Sequence, residues 1–260
     1  MIGETPIEEW ADRLEAALEA CGGSQHRVFV VRETDSTQAA ARRIGASAND
    51  VVVAWRQTAG RGRLGRRWLD PENLGIAATF VRTAAAPEYL AVASAVGTAQ
   101  AAEKLLDRPV GIKWPNDIIV DGRKLAGILI QQTSSLAFIG IGMNVNQIRW
   151  PPKLADRAVS LAQISRPVDR LEALRILLPA VFRSLSQERA VLEKEFARRD
   201  WLRGSRATFQ RGQEIVTGQV LRTDPGRGLL LSTDAGEVFL PAATTTVRRA
   251  AETDTRGAVS

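Results

Sequence analysis

Between Trp55 and Trp68 the chain gathers five arginines and three glycines without a single acidic residue (Trp55-Arg-Gln-Thr-Ala-Gly-Arg-Gly-Arg-Leu-Gly-Arg-Arg-Trp68). Glycine frees backbone amides to face an oxyanion, and arginine forks grip carboxylate or phosphate through paired hydrogen bonds. Such a loop suits an acyl carboxylate brought against an ATP α-phosphate, two anions that repel until cations intervene. A solvated arginine-glycine loop has the same composition, as does a nucleic-acid patch with Trp55 and Trp68 stacking on bases. Gly60-x-Gly62-x-x-Gly65 matches the dinucleotide fingerprint in form, yet that motif must open a helix. Here Asp70-Pro71-Glu72-Asn73 turns into another strand, and no acidic residue ends that strand to hold a ribose. A dinucleotide site is not expected.

Two further segments carry chemistry. Lys113-Trp-Pro-Asn-Asp117 is followed by Arg123-Lys-Leu-Ala-Gly127. Trp114 precedes proline and is biased to extended backbone, which presents its polar neighbours at a fixed angle. Asn116 and Asp117 offer oxygens suited to Mg²⁺, and Lys113 and Lys124 flank one hairpin and can reach one site as point charges. Read structurally, the same residues are a turn pair and exposed lysines. Gly140-Ile-Gly-Met-Asn-Val-Asn146 is a strand whose glycines admit a ligand or another backbone closely, or simply pack in a core.

Composition removes other chemistries. The chain holds one histidine, His26, and one cysteine, Cys21, so neither a zinc site nor a triad with a positioned imidazole can be completed. A lone cysteine fits a reducing cytoplasm, the N-terminus lacks an apolar signal core, and no apolar run approaches the roughly 18 residues of a membrane span. The net charge of +6 suits nucleotides, acidic partner domains or nucleic acid alike.

The elements that must position these residues read as α+β with a largely antiparallel or mixed sheet. Apolar spacing predicts a helix from Ile7 to Ala20, ended by Gly22-Gly23. Short strands follow at Val28–Val31, Val51–Trp55 and Leu74–Val81. Thr34-Asp35-Ser36-Thr37 caps a helix over Gln38–Ile44, and Pro87 opens an alanine-rich helix over Glu88–Leu106. Strands at Val110–Trp114, Asp117–Val120, Leu125–Gln131 and Leu136–Val145 come in quick succession, with Asp121-Gly122 as a tight turn. Beyond Pro151-Pro152, one long helix kinked at Pro179 spans Arg170–Arg198. From Gly204 onward five short strands, with turns at Asp224-Pro225-Gly226 and Asp234-Ala235-Gly236, suggest a small β-barrel. The polar stretch 251–260 is expected to fray.

Taken together, Thr34–Gln38, Gly60-Arg-Gly-Arg-Leu-Gly-Arg-Arg-Trp68, Lys113-Trp-Pro-Asn-Asp117, Lys124-Leu-Ala-Gly127 and Gly140–Asn146 resemble the biotin protein ligase family. They stand in family order, and the likeness runs over roughly residues 28 to 250. The resemblance implies a catalytic domain similar to class II aminoacyl-tRNA synthetases over 28–203. A helical extension over 1–27 would precede it, and an SH3-like barrel over 204–250 and a tail over 251–260 would follow. It implies ATP and biotin as substrates, Mg²⁺, and a biotin carboxyl carrier domain of a carboxylase as partner, with a homodimer left open. Arg61, Arg63 and Lys124 match the family's catalytic cations. Ser36, Thr37, Gln38, Gln57, Gly60, Arg61, Gly62, Arg63, Lys124 and Gly127 match contacts to biotin and biotinyl-adenylate. Trp68 matches an aromatic near the adenine, Asn144 lies toward the nucleoside, and Asn116 and Asp117 fall at the phosphate and metal end. The family often reads Ser-Thr-Asn where this chain has Ser36-Thr37-Gln38. A lipoate ligase is the rival within the fold. A DNA-binding, biotin-responsive repressor is the rival from another class, and about 27 residues before the first strand leave room for one helix but not a helix-turn-helix. An RNA-binding protein would need more clustered aromatics. The sequence therefore points to a cytoplasmic ligase without specific DNA binding.

Overall fold

A computed structural model describes residues 4–22, 26–70, 73–224, 226–242 and 244–250. Gly23, Pro71-Glu72, Pro225 and the 251–260 tail, on which some of the turn and tail expectations fall, lie outside the described residues.

Seven strands form one sheet in the order β1-β2-β3-β7-β6-β5-β4. They are β1 (Val28–Thr34), β2 (Val51–Gln57), β3 (Ile76–Thr83), β4 (Gly111–Lys113), β5 (Asp117–Val120), β6 (Arg123–Gln132) and β7 (Leu136–Met143). Only β1 and β2 run parallel; every other pairing is antiparallel, so the sheet is mixed. The expected tight turn joins β5 to β6: Asp121 and Gly122 both have positive φ, 50° and 72°, as a two-residue hairpin with the sheet's right-handed twist requires.

Alternation along the strands divides the sheet into two unequal faces. Val51, Val53, Ala78, Phe80, Ile128, Ile139 and Ile141 point into the large core under α1 (Trp10–Glu19), α3 (Pro87–Leu106) and α5 (Arg170–Ser184). Val52, Val81 and Phe138 point the other way, into a small cluster with Ala40 and Ala41 of α2 (Thr37–Arg43). Among the described residues, the short α2 is the one helix packed on this second face. The next inward positions on it are Ala77, Gly127, Gly140 and Gly142, too small to fill the space above the sheet. A hollow results.

After the short α4 (Leu161–Ile164), the expected single helix over Arg170–Arg198 is instead two, α5 and α6 (Arg189–Arg199). Pro179 is buried inside α5 and does not end it. The break falls at Leu185–Glu188, where the Tyr89 hydroxyl lies 2.9 Å from the Leu185 carbonyl and 3.0 Å from that of Gln187, satisfying carbonyls the helix leaves free. Leu178, Leu185 and Leu192 keep heptad spacing through the break, so periodicity alone conceals it.

The C-terminal strands β8 (Arg206–Arg211), β9 (Glu214–Asp224), β10 (Gly228–Thr233), β11 (Gly236–Pro241) and β12 (Thr245–Ala250) form a second, antiparallel sheet ordered β11-β10-β9-β8-β12. Its inward residues Phe209, Val220, Leu229, Leu231 and Leu240 join the main core in one contiguous cluster. No helix among the described residues is long and apolar enough to cross a membrane.

Candidate active site

The hollow is the floor of a cleft of about 820 Å³, roofed by the arginine-glycine loop and closed at one side by Thr246, Val247 and Arg248 of β12. The loop is a pinned hairpin rather than a free coil. Trp68 N donates to the Gly60 carbonyl at 2.9 Å, Gly62 N donates to that of Arg66 at 2.7 Å, and a tight turn with positive φ at Leu64 (55°) and Gly65 (72°) reverses the chain. Among the described residues the next element after the loop is the strand β3. The Arg63 guanidinium donates to the Ala242 carbonyl at 3.2 Å, fastening the loop to the C-terminal sheet.

Trp68 returns from the loop onto the sheet. Gly127 and Gly142 are paired across β6 and β7, and the indole rests on both. A Cβ on Gly142 would lie 2.5 to 2.9 Å from three indole carbons, and one on Gly127 only 3.1 Å from a fourth. The strand glycines serve close approach, here of an aromatic plane, and not core packing.

On the α2 side, Ser36 caps the helix by accepting from Ala39 N at 3.2 Å. Gln57 Oε1 accepts from Thr37 N at 2.9 Å, and Thr79 donates to the Thr37 hydroxyl at 2.8 Å, which ties α2 to β2 and β3. Gln38 donates through Nε2 to the carbonyls of Leu129 (2.9 Å) and Phe138 (2.8 Å), with Gly140 making room for it. The longer side chain at this position is thus a crosspiece between β6 and β7.

Lys124 sits at the centre. Its ammonium is 2.6 Å from Asp117 Oδ1 and 5.5 Å from the centre of the Trp68 ring. Its backbone is held on both edges, Lys124 N donating to the Arg157 carbonyl at 2.8 Å and its carbonyl accepting from Val159 N at 3.0 Å. Asn144 Nδ2 adds a bond of 3.1 Å to the same carbonyl and one of 3.0 Å to that of Val159. Burial pushes the Lys113 ammonium below its ordinary range against the pull of Asp117, with Lys124 and Arg157 pushing it down further. Burial likewise lowers the Arg63 guanidinium, and Asp117 opposes this. Among the described residues, eight cationic side chains line the cleft (Arg61, Arg63, Arg66, Arg67, Lys113, Lys124, Arg157 and Arg248) against two carboxylates, Asp117 and Asp156. Cations crowded at this density repel one another, and an anion between them would relieve that repulsion.

Of the residues expected from the sequence, Ser36, Thr37, Gln38, Gln57, Arg61, Gly62, Arg63, Trp68, Asn116, Asp117, Lys124, Gly127 and Asn144 all line the cleft. Gly60 does not; it is buried beneath the loop, where a Cβ would strike Gln57 and Trp68. Lys113, read as able to reach the site but assigned no role, lines it too, and Arg157 and Arg248 were not anticipated. The expected metal pair fares less well. Asn116 Nδ2 donates to the Ile128 carbonyl at 2.7 Å, and the Asp117 carboxylate is already neutralised by Lys124. No cluster of three or more metal-ligating side chains exists among the described residues. One paired carboxylate among so many cations is a poor protein site for a divalent ion, whose usual holders are carboxylates and substrate phosphates.

Fold and cleft together define an α+β protein with a cation-lined cleft over a glycine floor. Comparison with known proteins narrows that class. The profile of the biotin/lipoate A/B protein ligase family matches residues 30–146. The chain is 31% identical over 229 residues to the biotin--[acetyl-CoA-carboxylase] ligase of Mycobacterium tuberculosis, covering 81% of this chain and 85% of that one. It is 34% identical over 168 residues to the bifunctional ligase/repressor BirA of Bacillus spizizenii, covering 59% of this chain and 52% of the relative. The chain thus spans about half the length of the Bacillus relatives it matches. Its fold superposes on biotin protein ligase from Aquifex aeolicus in complex with biotin and ATP, with a TM-score of 0.76 at 27% identity, covering 85% of this chain and 98% of that one. The chain belongs to the biotin/lipoate A/B protein ligase family.

Proposed function

We propose that this chain is an ATP-dependent biotin protein ligase acting on a biotin carboxyl carrier domain. One observation carries the reading: a cleft lined by eight cations lies over a glycine floor on a fold shared with a protein that holds biotin and ATP. In the first step the biotin carboxylate attacks the α-phosphorus of ATP. A carbon–oxygen–phosphorus anhydride forms, the α–β phosphoanhydride bond breaks, and pyrophosphate leaves with the electron pair. In the second step the carrier lysine, as its free amine, attacks the acyl carbon, an amide forms, AMP leaves and the amine proton passes to solvent.

No protein nucleophile is required, in keeping with a chain that has one histidine and one cysteine. Arg61, Arg63 and Lys124 are our catalytic cations, offsetting the negative charge that builds on the α-phosphate. Ser36, Thr37, Gln57 and Gly127 would border biotin, with Trp68 and Asn144 toward the nucleoside. Magnesium would arrive on the nucleotide's own phosphates; Asn116 and Asp117 do not fit as its ligands, and no step is assigned to it. The pinned loop would keep water from the mixed anhydride. We further assign 28–203 to a catalytic domain like that of class II aminoacyl-tRNA synthetases, 204–250 to an SH3-like barrel and 1–27 to a helical extension, in a cytoplasmic protein.

ATP–pyrophosphate exchange measured with biotin and with lipoate tests the reading. Exchange should depend on biotin, and exchange that lipoate supports better would overturn the substrate assignment in favour of a lipoate ligase.

A further inference from the structure

The arginine-glycine loop hangs between two strands that part company beneath it. β2 and β3 pair only as far as Ala54 and Ala77, although β2 runs on to Gln57 alongside β1. The chain therefore leaves two carbonyls unladdered where the strands splay, Trp55 at the outgoing stem and Gly75 at the incoming one. Backbone carbonyls buried in such a gap need a donor. The Asn73 amide donates to the Trp55 carbonyl at 2.5 Å, and one guanidinium reaches both carbonyls. Arg170 Nη1 lies 3.0 Å from the Trp55 carbonyl and 3.4 Å from that of Gly75.

Arg170 is 1% exposed, at the first residue of α5, and its charge is answered from the N-terminal segment. Its Nε is ion-paired with Glu4. It packs against two tryptophans that also touch each other, 5.4 Å from the Trp10 ring centre and 4.0 Å from that of Trp55. The segment is itself moored: Thr5 N donates to Asp169 Oδ2 at 3.1 Å, and Trp10 Nε1 donates to the Thr5 carbonyl at 3.0 Å. None of these residues lines the cleft.

We propose that Arg170, held by Glu4, is a positioning residue that clamps the two stems of the arginine-glycine loop, so that the N-terminal segment sets how firmly the loop roofs the cleft. Its kinetic consequence rests on the ligase reading; its structural one does not. A buried charge that loses its partner shifts or takes on water, and the two stems are then free to separate.

The test uses Glu4→Gln and Arg170→Lys, the latter keeping a charge but losing the planar fork that spans both carbonyls. Trypsin cleavage between Arg61 and Arg67, mapped by mass spectrometry, should quicken about fivefold or more in both variants, while cleavage elsewhere keeps its rate, since proteolysis follows the local open population. In biotin-dependent pyrophosphate exchange, KM for biotin should rise about tenfold with kcat nearly unchanged, because placement and not chemistry is lost. Glu4→Asp should restore both readouts. Loop cleavage at the wild-type rate in Glu4→Gln and Arg170→Lys, whether or not their melting temperatures fall, overturns the clamp. A wild-type chain without biotin-dependent exchange would instead defeat the ligase reading, with the trypsin comparison still deciding the clamp.

Discussion

At the scale of single residues, Lys124 is the group on which the proposed chemistry turns. Three backbone hydrogen bonds fix its main chain, and its ammonium waits 2.6 Å from Asp117 until anions displace that pairing. If it meets both the carboxylate and the α-phosphate, its worth is greatest where negative charge accumulates. Lys124→Gln should then slow adenylation about a hundredfold or more, as loss of one preorganised donor does elsewhere. Transfer from preformed biotinyl-adenylate should suffer less. The two half-reactions, measured separately, decide this, and a variant impaired only in transfer would refute the role. Gly142 offers a second handle, because an alanine there would push its Cβ into the Trp68 indole at 2.5 Å. Gly142→Ala should weaken nucleotide or biotin binding about tenfold by displacing the ring, at small cost to a strand where a Cβ is otherwise tolerated. Tryptophan fluorescence during a ligand titration reports the displacement, and an unaltered titration would show that the indole is free to yield. Most of the cleft was legible at this scale because its cations stand in dense local motifs. Arg157 and Arg248 carry no such signal. They reach the cleft only because the 157–159 segment lies along Lys124 and because β12 folds back over the loop, contacts between residues far apart in sequence.

Among the elements, α2 shows how a short helix is made to point at a site. Ser36 caps it, and beside that cap Asp35 pairs with Arg43 at 2.8 Å. The hydrogen bond from Arg43, and after it the one from Ser36 N, hold the Asp35 carboxyl well below the usual carboxylate range. A carboxyl depressed on folding adds stability above its unfolded pKa, about 3.9, and that contribution is lost as pH falls through the folded value. Asp35→Asn should accordingly lower the melting temperature at pH 7, and the gap from wild type should narrow as the pH drops below about 4. A gap of equal size at pH 7 and pH 3 would mean that the ionised carboxylate contributes nothing. The cap was readable in Thr34–Thr37, as were the hairpin turn at Asp121-Gly122 and the strands on either side of it. The division between α5 and α6 was not, because the apolar stripe continues in register across it and the cause, Tyr89, belongs to α3.

For the whole molecule, the question is where its positive charge acts. Lysine and arginine exceed aspartate and glutamate by six, and among the described residues eight cations converge on one cleft against two carboxylates. A concave cluster of this kind suits the phosphates of a nucleotide. The N-terminal helix α1 is unsuited to reading a groove, since Trp10, Leu14 and Leu18 are buried in the main core. Duplex DNA should consequently bind only through phosphate contacts, weakly, with steep salt dependence and without regard to sequence. ATP together with biotin should compete with it, because both claim the same cations. A gel-shift titration with carboxylase and biotin-transport promoters, alongside scrambled duplexes of equal length, measures this directly. Equal, salt-sensitive retardation of all duplexes that fades on adding ATP and biotin is the expected outcome. Nanomolar binding at physiological salt that favours the promoters, or that strengthens when biotin and ATP are added, would make the chain a biotin-responsive repressor as well as a ligase.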